Sequence, residues 1–187
     1  MAVFKIVNES YCSLDDIYRE LTYIYNHKKC VYHGTSNLLD GDITVLQNQF
    51  LYVKNYYRKT KGKQLENFIL SLDSAVEEKH IDLRTLNAAA RYIIEFCLEE
   101  YQVAYAIHNN RSNFHVHFIM NTVNIRTGKH FRLNKSNFHE FMGNIAMWLE
   151  LHGIALQNYS YYDEKGKFRC GKNDDIGLYL HKMPNYI

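Results

Sequence analysis

The sequence predicts an α+β fold, a central antiparallel β-sheet with helices packed on it. Apolar side chains recur at helical spacing from Leu83 to Cys97 and from Phe138 to Leu149. From Phe114 to Met120 apolar residues instead alternate with two histidines, which is the period of a β-strand. Gly128 lies in a short polar segment, Arg126 to Lys129, that is typical of a hairpin turn. Helices and antiparallel strands within one domain-sized chain are typical of the α+β class.

The other elements follow from the same periodicities. Strands are predicted at Ala2 to Val7, Leu65 to Leu72, Gln102 to Ile107, Phe114 to Asn124, His130 to Leu133 and Ile154 to Tyr162. Helices are predicted from Ser13 to about Asn26, from Val45 to Tyr57, from Leu83 to about Glu99, and from Asn134 or Ser136 to His152, with a loop from His33 to Asp42. We expect residues 1–162 to form one domain. Residues 163–187 are expected to be a short loop or tail, or the start of a further C-terminal region.

Composition narrows the class of protein. The formal net charge is only +2, so charge alone does not indicate a nucleic-acid partner, although 16 tyrosines provide surfaces on which bases can stack. Four cysteines without CxxC spacing disfavour a disulfide scaffold. The first residues are too polar for a secretory signal, and no run of about 18 apolar residues exists. We therefore expect a cytoplasmic protein with no membrane insertion.

Three histidines form the main candidate site. His115 and His117 are two residues apart on a predicted strand, so they point to the same face. His108 lies seven residues earlier, across a polar turn, and an antiparallel hairpin would bring it back beside the pair. Three neutral imidazoles suit a divalent metal and leave coordination positions open. With 10 histidines in the chain, a chance HxH pair remains the alternative.

A basic segment follows the second helix. Two tyrosines precede it, a combination that suits a phosphate backbone with stacked bases, and a solvated basic loop is the alternative. The first candidates for contacts with such a phosphate backbone are Lys54, Arg58, Lys59, Lys61 and Lys63. The second candidates, on the later hairpin, are Arg126, Lys129 and Arg132.

The stretch His108 to Lys129, HNNRSNFHVHFIMNTVN-IRTGK, resembles the third motif of MOBP-type plasmid mobilisation relaxases, of the HUH endonuclease superfamily. That motif has the form H-x-D-K-x-H-I-H-N-H, followed by N-x-V-N and a TGK-type turn. The segment Leu21 to Lys28, LTYIYNHK, resembles the family's first motif, which places a catalytic tyrosine at the end of the first helix. The resemblance covers roughly residues 1–150.

The resemblance implies a ferredoxin-like palm and metal-dependent, strand-specific DNA nicking at an origin of transfer. His108, His115 and His117 would hold Mn²⁺ or Mg²⁺, with Zn²⁺ as a further option. Tyr23, or alternatively Tyr25, would form a 5′-phosphotyrosyl intermediate. Asn110 replaces a family aspartate, and an amide cannot act as a base. The implied partners are single-stranded or hairpin origin DNA and accessory mobilisation and coupling proteins.

Three other functions remain open. A rolling-circle replication initiator would place its nucleophile later in the chain, in the cluster Tyr159 to Tyr162. A non-catalytic single-strand binding module is a second alternative, which Asn110 leaves open. A zinc hydrolase on an unrelated fold is disfavoured because the hairpin contains no glutamate that could act as a general base.

Overall fold

The structure is a computed structural model that describes residues 1–72, 83–109, 114–162 and 165–173. The strands are β1 (Ala2–Ile6), β2 (Cys30–Ser36), β3 (Leu65–Leu72), β4 (Val103–His108), β5 (His115–Asn121), β6 (Leu156–Tyr162) and β7 (Phe168–Asn173). The helices are α1 (Asp15–Ile24), α2 (Ile43–Tyr56), α3 (Leu83–Tyr92), which continues into a π-helical turn at Ile93–Cys97, and α4 (Lys135–Leu151). The predictions for Asn110 and for residues 174–187 lie outside the described residues.

The seven strands form one sheet in the order β2-β4-β5-β3-β1-β6-β7. Every neighbouring pair is antiparallel except β1 and β6, which run parallel. The predicted α+β class is confirmed, with this one parallel pair as a departure from a purely antiparallel sheet. The central position of β5, between β4 and β3, places the histidine strand inside the sheet rather than at an edge.

The two faces of the sheet carry different helices. Helices α3 and α4 cover one face, over a large core that contains Phe4, Phe68, Phe118 and Phe138. Helices α1 and α2 cover part of the other face, where their apolar side chains meet Ala104, Ala106 and Ile119. The small alanines on β4 allow the helices to approach the sheet closely. As a result, the end of α1 lies against the face that carries the histidines.

Three segments differ from the sequence prediction. The predicted loop at residues 33–42 is wrong in part, because Cys30–Ser36 forms β2 and pairs with β4. The predicted strand at residues 130–133 is reduced to one bridge between Val123 and His130. Within the predicted C-terminal loop, Phe168–Asn173 forms β7 and pairs with β6. In the first case pairing with a distant strand overrides local composition. The domain boundary at residue 162 stays a prediction.

Helix α1 packs only part of its apolar and aromatic surface on the sheet. Tyr18 is 47% exposed, whereas Leu21 is completely buried. The buried stripe of α1 consists of Ile17, Leu21 and Ile24 at helical spacing, so Tyr18 lies one position off it. Within the described parts of the chain, no helix has the length and apolar content needed to span a membrane.

Candidate active site

The β4–β5 hairpin brings the three predicted histidines together. His108 pairs directly with His115, and Ala106 pairs with His117. All three side chains are buried, and one ligand nitrogen from each lies within 4.8 Å of the others. Three imidazole nitrogens this close together are a donor set that could hold one divalent ion. The structure thus brings the three predicted histidines together, and their role as metal ligands stays a prediction.

His108 is held in one tautomer. Its Nε2 lies 2.7 Å from the carbonyl oxygen of Ile24. Because a carbonyl can only accept, Nε2 carries the proton and donates, which leaves Nδ1 as a lone pair. That Nδ1 is buried and has no hydrogen-bond partner among the described residues. Burial lowers the pKa of His108, so the neutral form that a metal requires is favoured. The donor set thus fits a divalent ion.

Tyr23 lies at the mouth of the histidine cluster. Its ring centroid is 5.9 Å from that of His108 and 5.5 Å from that of His117. Tyr23 is 40% exposed, so part of the residue is accessible to solvent. Tyr23 is the next-to-last residue of α1, and the helix end is fixed to β4 by the bond between Ile24 and His108. The helix and the hairpin therefore form one site.

Tyr25, the alternative nucleophile, is placed differently. Its hydroxyl donates a 3.3 Å hydrogen bond to the carbonyl oxygen of Gly34. Its ring packs on His33, with centroids 4.8 Å apart, rather than on the three clustered histidines. Burial raises the pKa of Tyr25 above that of a free phenol, which disfavours the phenolate. The geometry therefore favours Tyr23.

Lys29 is a site residue that the sequence prediction missed. Its Nζ lies 4.0 Å from the centroid of the Tyr23 ring, over the ring face. The turn that carries it is closed by a 2.9 Å bond from Lys29 N to Asn26 O. Sequence spacing gave no signal, since Lys28 and Lys29 are adjacent and only the turn geometry distinguishes them.

Lys54 is a corrected prediction. It was expected to contact the DNA backbone, but it is completely buried in α2, where its Nζ donates to Thr122 Oγ1 at 3.2 Å. Burial lowers the pKa of Lys54 to about 7. The helix directs position 54 towards the sheet, together with Leu46 and Phe50. A phosphate cannot reach its ammonium group in this structure.

The other basic candidates come together at the far end of the hairpin. The Tyr57 hydroxyl donates to the carbonyl oxygens of Ile125 and Arg126, at 2.8 and 3.1 Å, which joins the end of α2 to the later turn. Gly128 is required there, because a Cβ would collide with the Tyr57 ring and its φ is +68°. We name this surface the basic patch; its exposed or half-buried members are Arg58, Lys59, Lys61, Lys63, Arg126, Lys129 and Arg132.

The basic patch is electrostatically uneven. Burial and then the charges of Lys54, Lys59 and Arg132 lower the pKa of His130. Lys63 is paired with Glu66 at 2.7 Å, and Arg126 with Glu100 at 3.6 Å, so these two cations are partly neutralised. The patch adjoins the Asn121 end of β5, four residues and about 13 Å along the strand from His117.

The rolling-circle alternative finds no support at Tyr162. Its hydroxyl donates to the carbonyl oxygen of Leu133 at 2.9 Å, and its ring packs against the large core on the face opposite the histidines. Among the tyrosines of that cluster, Tyr162 is the one whose side chain belongs to the described structure.

Two curated relatives resemble the chain in sequence. Both are Protein rlx of Staphylococcus aureus. One is 26% identical over 131 residues, which is 70% of this chain and 37% of the relative. The other is 26% identical over 97 residues, or 52% of this chain and 29% of the relative. The chain thus spans well under half the length of these relatives.

Solved structures resemble the fold. The MobM relaxase domain, bound to plasmid pMV158 oriT DNA and Mn at pH 6.8, has a TM-score of 0.58 and 14% identity, covering 98% of this chain and 99% of that one. A structure from work on vancomycin resistance transfer in Staphylococcus aureus has a TM-score of 0.55 and 17% identity, covering 84% and 97%. At these identities the likeness concerns the fold alone.

One family model matches most of the chain. It describes relaxases, specifically the MobA/VirD2-like nuclease domain, and it matches residues 23–151. The match begins at Tyr23 and includes all three clustered histidines. The chain therefore belongs to the relaxase family and contains its MobA/VirD2-like nuclease domain.

Proposed function

We propose that this protein nicks one DNA strand at an origin of transfer in a bacterial cytoplasm, with Tyr23 as the nucleophile. The observation that supports it most is the position of Tyr23, whose ring lies 5.5 Å from the His117 ring and is accessible to solvent. A nucleophile beside three convergent imidazoles matches phosphodiester transesterification, in which charge increases on the phosphate oxygens.

The chain's own residues each have a part in this reaction. Tyr23 Oη attacks the phosphorus and the bond to the 3′ oxygen breaks, which leaves a 5′-phosphotyrosyl link and a 3′-hydroxyl. The phenolic proton ends on the 3′ oxygen, so atoms and charge balance. His108, through its hydrogen bond to the carbonyl oxygen of Ile24, fixes the position of the histidine cluster relative to Tyr23. The basic patch would contact the backbone of the same DNA some nucleotides away.

The three histidines would hold a divalent metal, as the buried Nδ1 lone pair of His108 indicates. A bound ion would neutralise charge on the scissile phosphate. The donor set favours Mn²⁺ or Zn²⁺ over Mg²⁺, because Mg²⁺ prefers oxygen ligands and keeps its waters. Accessory mobilisation and coupling proteins are further proposed partners.

A covalent-adduct assay tests the proposal. The protein is incubated with end-labelled single-stranded oligonucleotides from the origin region and Mn²⁺, and protein–DNA adducts are resolved on denaturing gels. Wild type is expected to form an adduct, Tyr23→Phe to lose it at least 100-fold, and the matched control Tyr25→Phe to retain it. An adduct of normal yield in Tyr23→Phe would exclude Tyr23, and loss in Tyr25→Phe alone would assign the reaction to that residue.

A further inference from the structure

The ammonium group of Lys29 lies where the nucleophile and the histidine cluster meet. Its Nζ is 4.0 Å from the Tyr23 ring centroid. The backbone on which it sits is fixed from both sides, because Lys29 N donates to Asn26 O and Asn109 N donates to Lys29 O, at 2.9 and 3.0 Å. The second bond joins the turn to the residue that follows His108. The lysine is thus built into the same rigid unit as the site.

This cation has no anionic partner in the described part of the chain. None of the ion pairs found there includes Lys29, whereas Lys63, Arg19, Arg91 and Arg126 all have carboxylates within 4.0 Å. A half-buried cation beside a site suited to a dication leaves, among the described residues, an excess of positive charge that an incoming anion would balance.

We propose that Lys29 is a catalytic residue that binds a non-bridging oxygen of the phosphate attacked by Tyr23. This inference rests on the proposed function. When DNA arrives, the ammonium exchanges its contact with the Tyr23 ring face for a charge-assisted hydrogen bond to the phosphate. The exchange is favourable, because a hydrogen bond between opposite charges is stronger than an exposed cation–π contact. The phosphate is thereby placed beside the phenol, with its growing negative charge facing Lys29.

A scan with uncharged linkages tests this contact. Single-stranded oligonucleotides from the origin region each carry one neutral methylphosphonate, at successive positions. Their affinities are measured by fluorescence anisotropy with Mn²⁺ in a Tyr23→Phe background, which prevents reaction. Lys29→Met is compared with Lys28→Met, which removes an equal charge from an exposed position of the same turn. Lys29→Arg tests whether a cation alone restores binding, and thermal melting verifies that each variant is folded.

We expect Lys29→Met to bind about ten-fold more weakly than the parent to every oligonucleotide of the scan except one. In that oligonucleotide the neutral linkage is the one that Lys29 contacts, so removal of the lysine costs no further affinity. Lys28→Met should show no such exempt position, and Lys29→Arg should recover most of the affinity. Equal losses at all positions, or unchanged affinity in a folded Lys29→Met, would overturn the proposal. If the loss of affinity disappears at one linkage but wild type forms no covalent adduct at that linkage, the phosphate contact is supported and the proposed nicking function is wrong.

Removal of the same charge should also strengthen metal binding. Lys29→Met is expected to bind Mn²⁺ roughly three-fold more tightly than wild type in calorimetry, because a cation near His108 repels the ion. Lys28→Met should bind as wild type does. Weaker Mn²⁺ binding by a folded Lys29→Met would contradict the electrostatic role.

Discussion

His108 Nε2 donates a 2.7 Å hydrogen bond to the carbonyl oxygen of Ile24, the residue that follows Tyr23. This one bond joins the end of helix α1 to the first residue of the histidine cluster, across 84 positions of sequence. It fixes the tautomer of the imidazole and the position of the proposed nucleophile together.

The roles of the two His108 nitrogens, hydrogen bonding for Nε2 and metal binding for Nδ1, should therefore be distinguishable by mutation. In His108→Gln, the side-chain amide can still donate to Ile24, while the Nδ1 lone pair is lost. We expect Mn²⁺ affinity to fall at least 30-fold in both His108→Gln and His108→Ala, measured by calorimetry. Only His108→Ala should lose substantial stability, about 2–4 kcal/mol in urea unfolding, because it also removes the buried bond and leaves a cavity. Equal stability of the two variants would contradict a structural role for Nε2.

Charge removal in the basic patch should reduce the salt dependence of DNA binding. Lys59→Gln and Arg132→Gln are each expected to weaken binding of a single-stranded oligonucleotide and to reduce the slope of log K against log salt by about 0.7. Lys54→Met should leave the slope unchanged, because the buried ammonium contacts Thr122 rather than solvent. Anisotropy titrations between 50 and 200 mM salt provide the measurement. A reduced slope in Lys54→Met would show that this lysine reaches DNA after all.

Lys54 should make stability increase with pH. Burial lowers its pKa from 10.5 to about 7 in the folded state, so between pH 7 and pH 10 the unfolded chain binds the extra proton. Stability rises with pH wherever the unfolded state binds more protons. From pH 7 to pH 9, wild type should gain about 2 kcal/mol in free energy of unfolding relative to Lys54→Met. Lys61→Met, which removes an exposed charge, should show the same increase in free energy of unfolding as wild type. If Lys54→Met shows that increase too, the buried lysine does not lose its proton in the folded state.

Substitution of Gly128 by alanine should destabilise the protein more than substitution of Gly62 does. Both have positive φ, of +68° and +80°, but a Cβ at 128 meets the Tyr57 ring, whereas a Cβ at 62 meets no atom within 4 Å. Gly62→Ala is expected to destabilise by about 1 kcal/mol through backbone strain alone, and Gly128→Ala by about 2–4 kcal/mol. Only Gly128→Ala should also weaken DNA binding, since displacement of Tyr57 separates the two halves of the basic patch. Equal effects of the two substitutions on unfolding would exclude the Tyr57 contact as the cause.

Sequence patterns predicted the elements whose formation depends on neighbouring residues. Alternation identified β5, helical spacing identified α4, and the Asn134 side chain caps α4 by accepting from Asn137 N at 2.9 Å. Gly153 has a φ of +70° just past the end of that helix, as a C-terminal stop requires. The predicted strand Leu65–Leu72 agrees with β3 to the residue.

Two of the errors occurred where residues distant in sequence determine the local structure. The edge strand β2 carries Gly34, which looks like a loop residue, but the glycine makes room for the Tyr105 ring of the neighbouring strand. Lys54 sits in a segment rich in basic residues, yet its position on α2 points to the sheet. Neither the strand pairing nor the direction of a lysine on a weakly amphipathic helix can be read from composition.

The sequence by itself determined the three histidines, because spacing within a hairpin follows from strand period and a short turn. It also supplied two candidate tyrosines, since both lie at the end of a helix. Tertiary structure favours Tyr23, because the packing of α1 on β4 places Tyr23 beside the histidines and directs the hydroxyl of Tyr25 to the carbonyl oxygen of Gly34. Tertiary structure also distinguishes Lys29 from Lys28 and shows that Lys54 is not part of the basic patch. The direction of each side chain depends on how its backbone packs against the rest of the fold.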